Sequence, residues 1–155
     1  MLTGLANSGE TRGAFSLIEG VLKPGHEPPP RVHTREDELF SVLEGSFDVY
    51  VGNEMFSEEK EGSVFLPRDE PHAFIIRSLR IRLLTLFRPG GLEETLFRKS
   101  VPAKRLDMPV EAINYSTADL QEVTERLGQY GVRIFTPEEI LSEMPSYARA
   151  RKAVA

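Results

Sequence analysis

Through the N-terminal part of the chain, short apolar runs separated by turn residues set the pattern. Phe47, Val49 and Val51 alternate with Asp48 and Tyr50, the period-two signature of a strand with one buried face. Glu44, Gly45 and Ser46 supply a turn before it. Similar runs over 15–22, 38–43, 64–66, 73–76 and 81–87 predict a series of short strands, and such a series predicts an all-β sandwich or barrel. In the run that begins at Glu38, Phe40 and Val42 fall on one face and Leu39 and Leu43 on the other. Neither face therefore reads as freely solvated: one is expected to line a barrel, the other to meet a second layer or a subunit.

After Pro89, Gly90 and Gly91 the period lengthens. The segment 92–97 predicts a short helix packed across the barrel, and 100–108 reads as irregular. Ser116 or Thr117 can cap a helix carrying Leu120, Val123 and Leu127 at helical spacing, with Gly128 or Gly131 to end it. Thr136 and Pro137 begin another, with Glu138 and Glu139 in the first turn, where the helix dipole favours acids. Its stripe is Ile140, Leu141 and Met144, stopped by Pro145, and the tail from Tyr147 to Ala155 reads as a solvated, mobile end. The expected division is a barrel over 1–112 and a helical extension over 113–155 packed on it.

The chain has 155 residues, 40% of them hydrophobic, enough for one substantial core. A net charge of −5 argues against a nucleic-acid partner, which needs a concentrated positive field. No apolar stretch approaches the roughly 20 residues of a membrane-spanning helix, and the N-terminus has no signal-peptide pattern. A cytoplasmic location is expected. There is no cysteine, so a metal would be held by nitrogen and oxygen alone.

The candidate chemistry lies in two motifs. In PGHEPPPRVHTREDELFSVLEG, Gly25, Arg31, His33, Glu38 and Gly45 recur at a spacing that resembles the first motif of the cupin superfamily, with Arg31 where the family places its first metal-binding histidine. Downstream, GSVFLPRDEPHAF resembles the second motif and puts His72 in its ligand slot, while the flanks GAFSLIEGVLKPG and LFRPGGLEETLF are similar to small quercetin-dioxygenase-like cupins. The resemblance implies a double-stranded β-helix, or jelly-roll, barrel with two or three short C-terminal helices. It implies a metal site of His33, Glu38 and His72 for a divalent transition metal (Fe, Mn, Ni, Zn or Cu). It also implies oxygenase-like chemistry on a small aromatic or enolised molecule and, together with the apolar strand faces, a homodimer.

Arg31 changes that expectation. Two positions before His33 on an extended strand, it points to the same face. A guanidinium has five donors and no acceptor, so it adds repulsion to a dication rather than a ligand. It could instead pair with Glu38 in a metal-free, ligand-binding cupin, or clamp an anionic substrate beside a metal held by the other three. Glu38, unligated in an apolar pocket that raises its pKa, would serve as a general base. Phe40 and Phe74 are candidates for a substrate-facing aromatic wall, with core packing the simpler reading. His26, cut off from Arg31 by three prolines, reads as an exposed loop residue.

Overall fold

The computed structural model describes residues 1–98, 100, 102 and 117–154. The expected cap Ser116, the expected boundary at 112/113 and most of the stretch 100–108 lie outside those residues. Nine strands precede the first helix: β1 (Leu2–Ala6), β2 (Ser16–Leu22), β3 (Arg31–His33), β4 (Asp37–Glu44), β5 (Ser46–Val51), β6 (Glu54–Glu59), β7 (Ser63–Leu66), β8 (His72–Ile76) and β9 (Ile81–Arg88). Then come α1 (Leu92–Arg98), α2 (Thr117–Gln129), β10 (Val132–Ile134), α3 (Pro137–Glu143) and α4 (Pro145–Val154). The strands form two five-stranded antiparallel sheets, ordered β1-β2-β9-β4-β7 and β10-β3-β8-β5-β6.

Every apolar run read as a strand is one. The core between the sheets is built from their inward alternates: Phe40, Val42, Phe47, Val49, Val64, Leu66, Phe74, Ile76, Ile81 and Leu83. A second core covers the outer face of the second sheet, where Val32, Tyr50, Ala73 and Ile75 pack against Phe135, Met144 and Tyr147. This corrects the expectation of a mobile tail. Pro145 does not end the chain's order but begins α4, because proline's fixed φ and missing N–H suit the first turn of a helix. Tyr147 rests edge-on against Tyr50 with ring centres 5.5 Å apart. Thr136 caps α3 as expected, in a reciprocal pair with Glu139, whereas Leu141, assigned to the apolar stripe, is exposed.

No helix among the described residues packs in the same way on the outer face of the first sheet. There Leu17, Leu86, Leu39 and Phe65 stand opposite one another across four strands, and Phe65 is 59% exposed. No helix among the described residues is long and apolar enough to cross a membrane.

Candidate metal and ligand site

β3, β4 and β8 bring the sequence-predicted polar residues together inside the barrel. Inward alternation on β3 places Arg31 and His33 on the barrel side and leaves Val32 for the outer core. Glu38 enters from β4, flanked in register by Phe87 and Leu66, and His72 is the register partner of Arg31 on β8. All four are buried: His33 and His72 are 2% exposed, Glu38 1% and Arg31 8%.

Arg31 does pair with Glu38. Its Nη2 donates to Glu38 Oε2 at 3.2 Å and its Nε donates to His33 Nε2 at 3.1 Å. The same Nε2 lies 2.8 Å from Glu38 Oε1, and His72 Nε2 lies 3.8 Å from that oxygen. These contacts conflict. A bare Nε2 can accept from Arg31 but then faces a carboxylate oxygen lone pair; a protonated Nε2 can donate to Glu38 but then opposes the Arg31 N–H. A cation between the nitrogen and the oxygen removes the conflict.

His33 Nε2, Glu38 Oε1 and His72 Nε2 are the donor set for such a cation, all within 4.8 Å of one another. Glu38 Oε1 and His72 Nε2 have no hydrogen-bond partner, and His72 Nδ1 faces the Glu70 carbonyl at 3.2 Å, which turns a bare Nε2 inward. Two imidazole nitrogens and one carboxylate oxygen suit a divalent transition metal. The residues present fit that group, with Arg31 hydrogen-bonded to two of the three ligand residues.

Electrostatics follow from burial and the guanidinium. Burial alone would push the Glu38 carboxyl up, but Arg31 and His33 outweigh it and hold the group well below the usual range, so it stays ionised. That direction is opposite to the one expected for an unpaired base in an apolar pocket. His72 is pushed down to about 3 by burial and by Arg31, and is neutral at ordinary pH. Burial pulls His33 down, yet Glu38 and Glu36 together raise it.

Glu36 was not among the expected site residues. It lies in the link between β3 and β4, is 1% exposed, and neither of its oxygens has a hydrogen-bond partner. Its Oε2 is 3.7 Å from His33 Nδ1, on the ring edge away from Glu38. It precedes β4 in a charged stretch between Arg35 and Asp37, so no period in the sequence marks its burial. Phe40 and Phe74 lie in the main core, edge-on to each other at 5.7 Å and each against Phe47, while the ring beside His33 is Phe87 at 6.4 Å. His26 is exposed, as expected.

The site strand β3 is held largely from outside the barrel motifs. It shares one register pair with β8 and three with β10, whose Val132, Arg133 and Ile134 face His33, Val32 and Arg31. Gly131 leads into β10 at φ +80, and its carbonyl accepts from both the backbone N–H and the hydroxyl of Thr34.

Comparison with known proteins agrees with this fold. Residues 19–87 match the cupin domain family. Among solved structures, KdgF from Halomonas sp. superposes with a TM-score of 0.54 at 17% identity over 60% of this chain and 82% of that one. The cupin domain of Schizosaccharomyces pombe Cnp3 gives 0.51 at 19% identity, over 63% and 69%. A structure of the DMSP lyases RdDddP and RnDddQII gives 0.51 at 25% identity, over 59% and 48%. No curated protein sequence is significantly similar to the chain. The fold is a cupin β-barrel with a few C-terminal helices, and these matches support placement in the cupin superfamily.

Proposed function

We propose that this protein is a metal-dependent cupin that acts on a small aromatic or enolised molecule in an oxygenase-like reaction, with His33, Glu38 and His72 as metal ligands. The observation that carries the reading is the convergence of three donor atoms, two of which have no other partner in a buried site. A divalent transition metal held there would keep open coordination positions and supply Lewis-acid or redox chemistry. Around it, Glu38 remains ionised, His72 stays neutral and offers Nε2, and Arg31 presents donors toward an anionic group of the substrate. The apolar ring beside the donor set is Phe87, 6.4 Å from His33, while Phe40 and Phe74, the aromatic wall expected from the sequence, pack in the core. The fold does not select the reaction, since the barrel's structural relatives include lyases; the donor set supports metal chemistry, and the oxygenase-like reaction rests on the sequence resemblance.

Elemental mass spectrometry on untagged protein, with His33→Ala and His72→Ala beside it, tests the reading. Near-stoichiometric transition metal, lost in both variants, is expected. Protein that stays metal-free after reconstitution would overturn it.

A second reading has its own observation. The Arg31 contacts to His33 and Glu38 at 3.1 and 3.2 Å already engage two of the three metal-ligand residues, as in a metal-free cupin that binds a small ligand. In that case Arg31→His creates metal binding where the wild type has none, whereas under the first reading it only tightens an existing site.

The apolar row Leu17, Leu86, Leu39 and Phe65 is the proposed homodimer face. Phe65→Glu should then convert a dimer to a monomer in light scattering, and an unchanged mass would remove this face from the assembly.

A further inference from the structure

The buried polar atoms without partners around His33 are of two opposite kinds. At the donor set, Glu38 Oε1 and His72 Nε2 are acceptors, whereas Arg31 Nη1 is a donor on a side chain nine-tenths buried. A cation satisfies the acceptors and leaves the guanidinium donor unanswered. An anion does the reverse. Native interiors rarely leave such groups unpaired, and each is costly when it is.

Formal charge points the same way. Glu36 and Glu38, each 1% exposed, bring two negative charges against the single positive charge of Arg31. Arg68, outside the site, is already spent on a two-point contact with Asp37. With His33 neutral and both carboxylates ionised, the buried set without a dication is negative and repels an anion. With a dication it becomes positive by one charge, which a monoanion closes. In a buried site such imbalances are weakly screened.

We propose that Arg31 and the His33–Glu38–His72 set form one coupled site, in which a small monoanionic oxygen ligand, a carboxylate or an enolate, accepts from Arg31 Nη1 and binds together with the divalent cation. This rests on the metal reading above. Arg31 carries the coupling, because the Nε lone-pair partner it now uses, His33 Nε2, is the atom the cation takes. Once displaced from that nitrogen, the Nε–H joins Nη1 as a donor without a protein partner, on another edge of the guanidinium. Linkage then requires each ligand to raise the affinity for the other by the same factor.

Calorimetric titrations with Co²⁺ and benzoate test this, with benzamide as the neutral control, on wild type, Arg31→Met and Arg31→Gln. In wild type, benzoate is expected to bind about tenfold tighter when cobalt is present, and cobalt about tenfold tighter when benzoate is present. Benzamide should show no such dependence. Both variants should take up cobalt at least as tightly as wild type and lose the coupling; the glutamine variant covers the case in which the methionine variant misfolds. Cobalt binding with benzoate affinity unchanged would overturn the proposal and leave the metal reading standing. Coupling that persists in a folded Arg31 variant would assign the anion to the cation alone and overturn it equally. No cobalt binding in any of the three proteins would overturn both.

Discussion

The two strands that face each other across the site are held in different ways. β4, which carries Glu38, is hydrogen-bonded on both sides, to β9 along its whole length and to β7 over Glu38–Ser41. β3, which carries Arg31 and His33, is three residues long, meets β8 at one register pair, and is otherwise secured by β10. One half of the site is therefore part of the barrel's own core. The other half depends on a strand outside the 19–87 cupin match, delivered by α2 and held down through α3 and α4. Placement of a ligand atom here is a property of the C-terminal segment as much as of the motif that contains it.

Core truncations on the two sides should separate these halves most strongly. Phe40→Ala, on β4, is expected to lower global stability by about 3–5 kcal/mol, and Met144→Ala, on the α3–α4 cover, by about 2–5 kcal/mol. The denaturation midpoint reads both. Hydrogen exchange distinguishes them: Met144→Ala should speed exchange in β3 and β10 while β4 stays protected, because sub-global opening follows contiguous packing units. Equal loss of protection in β3 and β4 would mean that the two halves form one cooperative unit.

Acid tests the β3–β8 side next, on protein stripped with a chelator. His72 titrates near 6.5 when unfolded but near 3 in the fold. As pH falls below about 6.5 the unfolded chain binds a proton that the folded one refuses, so stability falls, by up to about 1.4 kcal/mol per pH unit. Glu38 is depressed and Asp37 is lowered to about 2 beside Arg68, so their contributions are present above the ordinary carboxylate range and are lost only at lower pH. His33 has the opposite sign: its raised value contributes fully below about 6.5 and is lost as pH rises through the folded value. Urea midpoints should therefore peak near neutrality, and His72→Gln should flatten the fall between about 6.5 and 4.5. A wild type already flat across that window would contradict the buried, neutral His72.

What was legible in the sequence divides along the same line. The resemblance of two motifs to those of cupins placed Arg31, His33, Glu38 and His72 in one cluster, and the turn chemistry of Thr136 and Pro137 located α3. β10 was missed because Val132–Ile134 is too short to show a period, and its partner lies about a hundred residues earlier in the chain. β1 and β6 are edge strands with mostly exposed side chains, so no alternation marks them. Glu36 was missed for a related reason. Between Arg35 and Asp37 it reads as part of a solvated turn, and its burial comes from tertiary packing that local sequence does not encode.

Gly131 is the joint between α2 and the β10 clasp, and a modest change there should reach β3. At φ +80 a side chain is strained, and an added Cβ would come within 2.5 Å of Thr34 Oγ1 and 3.1 Å of Arg35 Cγ. Gly131→Ala should cost about 1–2 kcal/mol and weaken metal uptake by shifting the Thr34–Glu36 link. Unaltered uptake in a destabilised variant would show that the link tolerates the shift.

The smallest stability effect, and the sharpest probe of how the two halves communicate, belongs to Glu36. It sits in the link between β3 and β4, and the ion-pair partner it has among the described residues is His33, at 3.7 Å. A carboxylate on the Nδ1 edge favours the tautomer with the proton on Nδ1, which leaves Nε2 bare for a metal or for the Arg31 donor. Replacing a buried carboxylate that makes no hydrogen bond by an apolar side chain of similar size should change stability by less than about 1 kcal/mol, or raise it. Glu36→Met should nevertheless disturb the ring ¹⁵N shifts of His33, moving it away from the Nδ1–H form, while Glu36→Gln, whose amide oxygen still accepts, should retain it. If both variants keep the wild-type tautomer, Arg31 and Glu38 orient His33 unaided, and the β3 half of the site owes its chemistry to its own strand rather than to the link.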